Sequence, residues 1–237
     1  MTRIPTDAWR PKGITTLEDN AWTALRQTTH SIAVTAGAGA GKTEFLAQKA
    51  AFLLETGLCA PPQRILAICF KTDAARNLTR RVRARCPDFD ALTKGLLDRF
   101  RAAVPEPFAA PADYNIVFPR ARDYGDFLRG QATDLNAQHL ERLIARTALP
   151  LETSGLPAGR LRTLQAYWGQ QLARDPVPLS FPMINRLVDW LLRENPDITE
   201  ALRLTYPHVF LDEFQDTTVA QFGLICSAFA GSNVVLT

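Results

Sequence analysis

The chain has 237 residues, enough for one large domain or two small ones with a full hydrophobic core. It is 46% hydrophobic and 22% charged, with no apolar run near the roughly 18 residues that span a bilayer, so membrane-spanning, collagen-like and disordered readings are excluded. The net charge of +3 is unevenly spread: residues 71–101 hold nine lysines and arginines against four aspartates, and the rest of the chain carries a net −2.

Residues 1–13 contain no signal-peptide hydrophobic core, and Cys59, Cys69, Cys86 and Cys226 form no CxxC pair and no ligand spacing with the three histidines. Reduced thiols in a prokaryotic-type cytoplasm are expected, without a zinc site or a disulfide framework.

In chain order, an irregular lead-in with Pro5 and Pro11 gives way to helix signals near Thr16, continuing through Leu17, Ala21, Trp22 and Leu25. Residues 31–36 (SIAVTA) predict a short strand that ends in a glycine cluster. A helix follows from Lys42, with Leu46, Ala50, Leu53 and Leu54 on one face and Gly57 as its stop. Pro61 and Pro62 break the chain before residues 64–70 (RILAICF), which read as a strand buried on both faces. Another helix opens at Thr72, with Ala75, Leu78 and Val82 inward. This alternation predicts a parallel sheet with crossover helices.

The middle of the chain differs. Nine of the sixteen prolines lie between Pro105 and Pro182 and interrupt amphipathic segments near 122–130, 134–147 and 159–173, which predicts a helical insertion. The alternation resumes with helices near 183–194 and 197–205, a strand at His208–Leu211, a helix at 217–230 and a terminal strand at 233–237. The expected class is α/β: a parallel-sheet lobe formed by residues 1–103 and 181–237, interrupted by an all-helical subdomain at 104–180.

Residues 36–43 (AGAGAGKT) fit the pattern [AG]-x4-G-K-[ST], with Ala36 in the first slot. Ala36, Gly37, Ala38, Gly39, Ala40 and Gly41 are small, as the chemistry requires, because the backbone must wrap a phosphate closely enough to aim its N–H groups at the oxygens. The helix start adds its positive end. Lys42 would reach the β- and γ-phosphates of ATP, and the Thr43 hydroxyl would ligate Mg2+. A Gly/Ala-rich turn is the plainer alternative, but strand and helix signals flank the loop as a phosphate site needs.

Residues 208–217 (HVFLDEFQDT) place acids directly after a hydrophobic strand. Behind a phosphate loop, Asp212 would hold Mg2+ and Glu213 would orient and deprotonate the attacking water. A solvated turn is the commoner fate of an Asp-Glu pair that lacks such a loop.

Together, AGAGAGKT at 36–43, ILAICFKTDAARNL at 65–78 and LDEFQDTTVAQ at 211–221 resemble the UvrD/PcrA/Rep-like helicases of superfamily 1A. The resemblance runs the length of the chain and covers the first half of the family's architecture. It implies a RecA-like P-loop NTPase lobe interrupted by a helical subdomain, with ATP and Mg2+ as cofactors. It also implies that Gln215 senses the γ-phosphate and couples it to DNA, and that Phe70 contacts single-stranded DNA. Three departures stand out. The family's adenine-reading glutamine is replaced in TLEDNAW, where Asp19 and Asn20 are the nearest polar candidates. The usual Thr-Asn-Lys after Phe70 becomes Lys71-Thr72-Asp73. The T-F-H-S-F motif aligns with residues 88–92, keeping the aromatic as Phe89 but with Asp90 for the histidine; Lys94 stands nearby for a phosphate contact.

In the helix after Thr72, Arg76, Arg80 and Arg83 recur on the side opposite Ala75, Leu78 and Val82. Beside a stacking aromatic such as Phe70, an arginine stripe suits sequence-tolerant single-strand binding. An ordinary solvated helix face is the alternative.

The resemblance implies a motor that couples ATP hydrolysis to 3′–5′ movement on single-stranded DNA and to unwinding at single-strand/duplex junctions. It also implies a second RecA-like lobe, in cis or on a partner chain, and the family's G-D-x-x-Q motif, neither of which follows Asn233. The chain is expected to be an N-terminal motor fragment cut at Thr237, with poor turnover by itself. Two other readings are a non-catalytic ATP- and DNA-binding regulatory module, and a helicase subunit of a nuclease-containing repair or phage-defence complex.

Overall fold

Alternating apolar runs and amphipathic segments build a three-stranded parallel sheet and nine helices among the described residues. The computed structural model describes residues 3–37, 39–69, 72–86, 119–174 and 176–237. The helices are α1 (Asp19–Arg26), α2 (Lys42–Glu55), α3 (Thr72–Arg85), α4 (Ala121–Arg129), α5 (Ala137–Arg146), α6 (Ala158–Leu172), α7 (Phe181–Glu194), α8 (Pro196–Thr205) and α9 (Val219–Phe229). The strands are β1 (Ile65–Ile68), β2 (His208–Leu211) and β3 (Val235–Leu236). The chain divides into two compact units. One takes Met1–Ala109, Glu200–Thr217 and Gly231–Thr237; the other takes Ala110–Thr199 and Thr218–Ala230. None of the described helices is long and apolar enough to cross a membrane.

In the first unit the sheet order is β1-β2-β3, with Ile65 opposite His208 and His208 opposite Val235. β2 is the central strand: His208, Val209 and Phe210 are buried, as a two-sided strand requires. β1 differs from its sequence expectation. It is an edge strand among the described ones, and Ala67 and Ile68 are exposed, Ile68 by 39%. Residues 31–36 differ too. They run beside β3, with Ile32 N–H donating to the Leu236 carbonyl at 3.0 Å, but form no ladder there. The reason is local: Leu236 N–H donates to the Ser31 hydroxyl, also at 3.0 Å, where a ladder would use a carbonyl.

The core of this unit is the inner face of α2, with Phe45, Leu46, Phe52 and Leu53 packed against Leu25, Leu78, Val82 and Phe210. Trp9 of the lead-in joins it at 1% exposure, stacked on Trp22 and edge-on to Phe52. Its indole N–H donates to Glu55 at 2.7 Å, so an apolar ring enters the core with its one polar atom satisfied. α1 starts at Asp19, three residues after Thr16, and Glu18 occupies its N-cap without a side-chain cap bond.

The second unit is helical. Leu140, Ile144, Leu164, Tyr167 and Met183 form its centre, with Tyr124 stacked on Tyr167. Within this unit α7 is capped by the Ser180 hydroxyl, and Asp189 accepts from Ser227 (2.7 Å) and Arg193 (3.3 Å), tying α7 to α9. The capping box of Thr218 and Gln221 starts α9.

Candidate nucleotide-binding site

Parallel strands present ligand sites at their C-terminal ends, and the first unit follows that rule. There the chain after residue 36 turns sharply into α2. Gly39 (φ +77°) and Gly41 (φ +84°) hold left-handed backbone, and Gly41 is itself the N-cap of α2. A Cβ at Gly37, Gly39 or Gly41 would meet no atom within 4 Å, so the loop leaves an open cradle above its backbone. Phe45 N–H donates to Gly41 O at 2.9 Å as the helix's first turn closes. Lys42 folds back over this cradle and donates to the carbonyls of Ala36 (3.1 Å) and Gly37 (3.5 Å). Thr43 follows it in the same turn, and Ala40 N–H donates to Gly37 O at 3.2 Å. Ala38 lies outside the described residues.

At the end of β2, Asp212 is 8% exposed and its N–H donates to Ile68 O at 3.0 Å, which fixes it on the sheet. Glu213 departs sharply from the strand, in left-handed backbone at φ 52°, ψ 44°. Such a conformation in a non-glycine residue carries strain and re-aims the side chain. Gln215 then donates from Nε2 to Glu213 Oε2. A cleft of about 400 Å³ gathers Lys42 from one loop and Asp212, Glu213 and Gln215 from the other, floored by Ile32, Phe45 and Leu46. Cys69, at the end of β1, has its thiol pushed up by burial and by the nearby Asp212 carboxylate. These donors fit a Mg2+-bound polyphosphate: backbone N–H groups at a helix start, one lysine, one hydroxyl and two carboxylates.

Other candidates stand elsewhere. Asp19 and Asn20 are exposed in the first turn of α1 and do not line this cleft. α3 presents Arg76, Arg80 and Arg83 outward and buries Leu78 and Val82. Arg76 meets Asp73 at 3.6 Å, and Arg80 donates to Asn77 at 3.0 Å. Thr72 begins α3, whereas Phe70, Lys71, Phe89, Asp90 and Lys94 lie outside the described residues.

Two charged residues escaped sequence reasoning. Glu44, beside Thr43, accepts from Arg81 (2.7 Å) and Arg85 (2.8 Å), so two members of the basic segment face the phosphate-loop helix. Burial would raise its pKa, but the bonds from Arg85, Gln48 and Arg81 outweigh it and hold the carboxyl down to about 2. Lys49 is fully buried, its ammonium donating to Ala24 O (3.1 Å) and Gln27 O (2.8 Å) at the end of α1. Desolvation lowers its pKa to about 8. The Arg81/Arg85 spacing on α3 was the available signal for Glu44; nothing local announces Lys49.

The profile of the UvrD/REP helicase N-terminal domain matches residues 17–109 and 161–236. The chain is 28% identical over 222 residues to a Mycoplasma pneumoniae protein named "Probable DNA helicase", covering 81% of this chain and 40% of that one. It is 25% identical over 226 residues to the ATP-dependent DNA helicase PcrA of Staphylococcus aureus, covering 85% of this chain and 30% of that one. A Mycoplasma capricolum "Probable DNA helicase II homolog" is 26% identical over 233 residues, 88% of this chain and 32% of the relative. The chain thus spans between three and four tenths of the length of these relatives. The glycine-rich loop and the paired acids both lie within the residues that the family profile matches, and the chain belongs to the UvrD/REP helicase N-terminal domain family.

Proposed function

We propose that this chain is the nucleotide-hydrolysing part of an ATP- and Mg2+-dependent motor that moves along single-stranded DNA and opens single-strand/duplex junctions. The direction would be 3′ to 5′, as the resemblance implies. The observation that carries the reading is the gathering of Lys42, Asp212, Glu213 and Gln215 around one cleft at the C-terminal ends of parallel strands.

In that cleft Lys42 would exchange its two carbonyl partners for phosphate oxygens, a charge-assisted contact in place of neutral ones. Thr43 and Asp212 would hold Mg2+, which supplies charge neutralisation at the phosphate oxygens. Glu213 would accept the proton of the attacking water. Gln215, bonded to the Glu213 carboxylate, would link that base to the state of the γ-phosphate. Asp19 and Asn20, which stand outside the cleft lining, would read the base where it extends beyond the cleft. Single-stranded DNA would follow Arg76 and the exposed face of α3 together with Phe70, Lys71, Thr72, Phe89, Asp90 and Lys94.

We propose an ATPase lobe of residues 1–103 and 181–237 with a helical insertion at 104–180. The compact units divide differently, because Met183 and the Asp189–Ser227 bond pack residues up to Thr199, and Thr218–Ala230, with the helical body. A second RecA-like lobe, in cis or on a partner chain, would complete the cleft; a nuclease partner and a cytoplasmic location fit the same reading. The direct test is titration of the chain with a fluorescent Mg2+-ATP analogue. Lys42→Ala should weaken binding at least about tenfold, because a charge-assisted hydrogen bond worth about 1.5–3 kcal/mol is lost. Equal affinities would refute the site. Binding without turnover in the full-length protein would favour the regulatory-module reading.

A further inference from the structure

Glu44 is the one carboxylate placed directly after the phosphate-binding Lys42-Thr43 pair, and its surroundings reach far beyond α2. Its side chain is 15% exposed. Oε2 accepts from Arg81 Nη1 at 2.7 Å, and Oε1 accepts from Arg85 Nε and Gln48 Nε2, both at 2.8 Å. Gln48, wholly buried, also donates to Lys12 O at 2.7 Å and accepts from Lys12 N–H at 3.1 Å. The Arg85 guanidinium lies so close over Gly13 that a Cβ there would fall 2.1 Å from Nη1. One carboxylate therefore joins the first turn of α2, the last turns of α3 and the irregular lead-in at residues 12–13.

Position gives this joint its meaning. A phosphate bound at the start of α2 draws on the N–H groups of the turn that carries Glu44. Arg81 and Arg85, one turn apart, tie that turn to one side of α3; Arg76, Arg80 and Arg83 are exposed on the other. Charge-assisted bonds are stronger and more directional than neutral ones, so Glu44 is placed to pass a shift of the α2 start to α3. A contiguous network of this kind can carry coupling between two sites, and only a measured coupling demonstrates it.

We propose that Glu44 is a positioning residue through which nucleotide at the phosphate loop changes the affinity of the α3 arginine face for single-stranded nucleic acid. This rests on the reading of both surfaces given above.

The test measures the affinity of the full-length protein for a fluorescent oligo-dT, with and without a saturating Mg2+-bound non-hydrolysable ATP analogue. The wild type should show a ratio of affinities of about fivefold or more, the lower end of ordinary coupling. Glu44→Gln should bring the ratio to one while nucleotide alone and oligo-dT alone still bind. Arg81→Gln, at a side chain 41% exposed and therefore tolerant of change, should cut the ratio by at least half even if Glu44→Gln fails to fold. A merely structural ion pair would lower the melting temperature and leave the ratio at its wild-type value; that result, or a wild-type ratio of one, overturns the proposal. A wild type that binds nucleotide but no oligo-dT overturns it differently, by removing the nucleic-acid reading of α3 on which it rests.

Discussion

Glu44 shows how much one carboxylate can hold together, with donors from both α2 and α3. Its carboxyl sits near pH 2 when folded against an ordinary 4.5, because three donors hold the charged form. The folded state therefore binds fewer protons than the unfolded state between those values, and the stabilisation is present in full above 4.5 and lost as the pH falls towards 2. At neutral pH, Glu44→Gln should cost about 1.5–3 kcal/mol, the range for hydrogen bonds to a charged group. Urea unfolding at pH 7 and pH 3 should show the gap between wild type and variant narrowing at the lower pH. A gap unchanged with pH would mean that the charge contributes nothing. At this scale the glycine-rich loop and the Asp212–Glu213 pair were legible as candidates because each is a contiguous string, and the fold brings Lys42, Asp212 and Glu213 to one cleft. Glu44 was not, since its two arginine partners lie 37 and 41 residues away and only the fold brings them together.

Among the elements, the position of α1 depends on a lysine in α2. Helix ends leave carbonyls without partners, and the buried Lys49 supplies donors and a positive charge to Ala24 and Gln27 where the α1 dipole is negative. Burial nevertheless lowers its pKa from 10.5 to about 8. The folded state then releases this proton before the unfolded state does, so Lys49's contribution to stability rises as the pH goes from 8 to 10.5. The difference in unfolding free energy between wild type and Lys49→Met should shift in favour of the wild type across that interval, with other alkaline titrations cancelling in the comparison. A difference that is flat in pH would place the ammonium in contact with water. The helices were readable from apolar periodicity, and β2 from the three apolar residues Val209, Phe210 and Leu211 ahead of the acids. Residues 31–36 had strand propensity without a strand's ladder, because a serine hydroxyl took the N–H that a carbonyl would have bound. Trp9 was opaque for a related reason: a tryptophan between prolines carries no period, and its burial depends on Glu55 of α2 meeting its indole N–H.

For the whole molecule, the first unit holds the cleft, the phosphate loop and the arginine face of α3, while the second is an independently packed helical body. The net charge of +3 conceals a basic segment that serves two ends, since Arg81 and Arg85 neutralise Glu44 and Arg76 and Arg80 remain exposed. The chain spans 30–40% of the length of its helicase relatives, and motor activity is to be measured on a protein that carries this chain together with any further lobe. The most direct measurement is phosphate release from ATP by that protein, with and without single-stranded DNA, in wild type and Glu213→Gln. Turnover should rise with DNA, and the variant should retain Mg2+-ATP binding while losing about 10²–10⁴-fold in rate, the usual contribution of a general base. Turnover indifferent to DNA, or surviving intact in Glu213→Gln, would contradict a DNA-driven ATPase at this cleft.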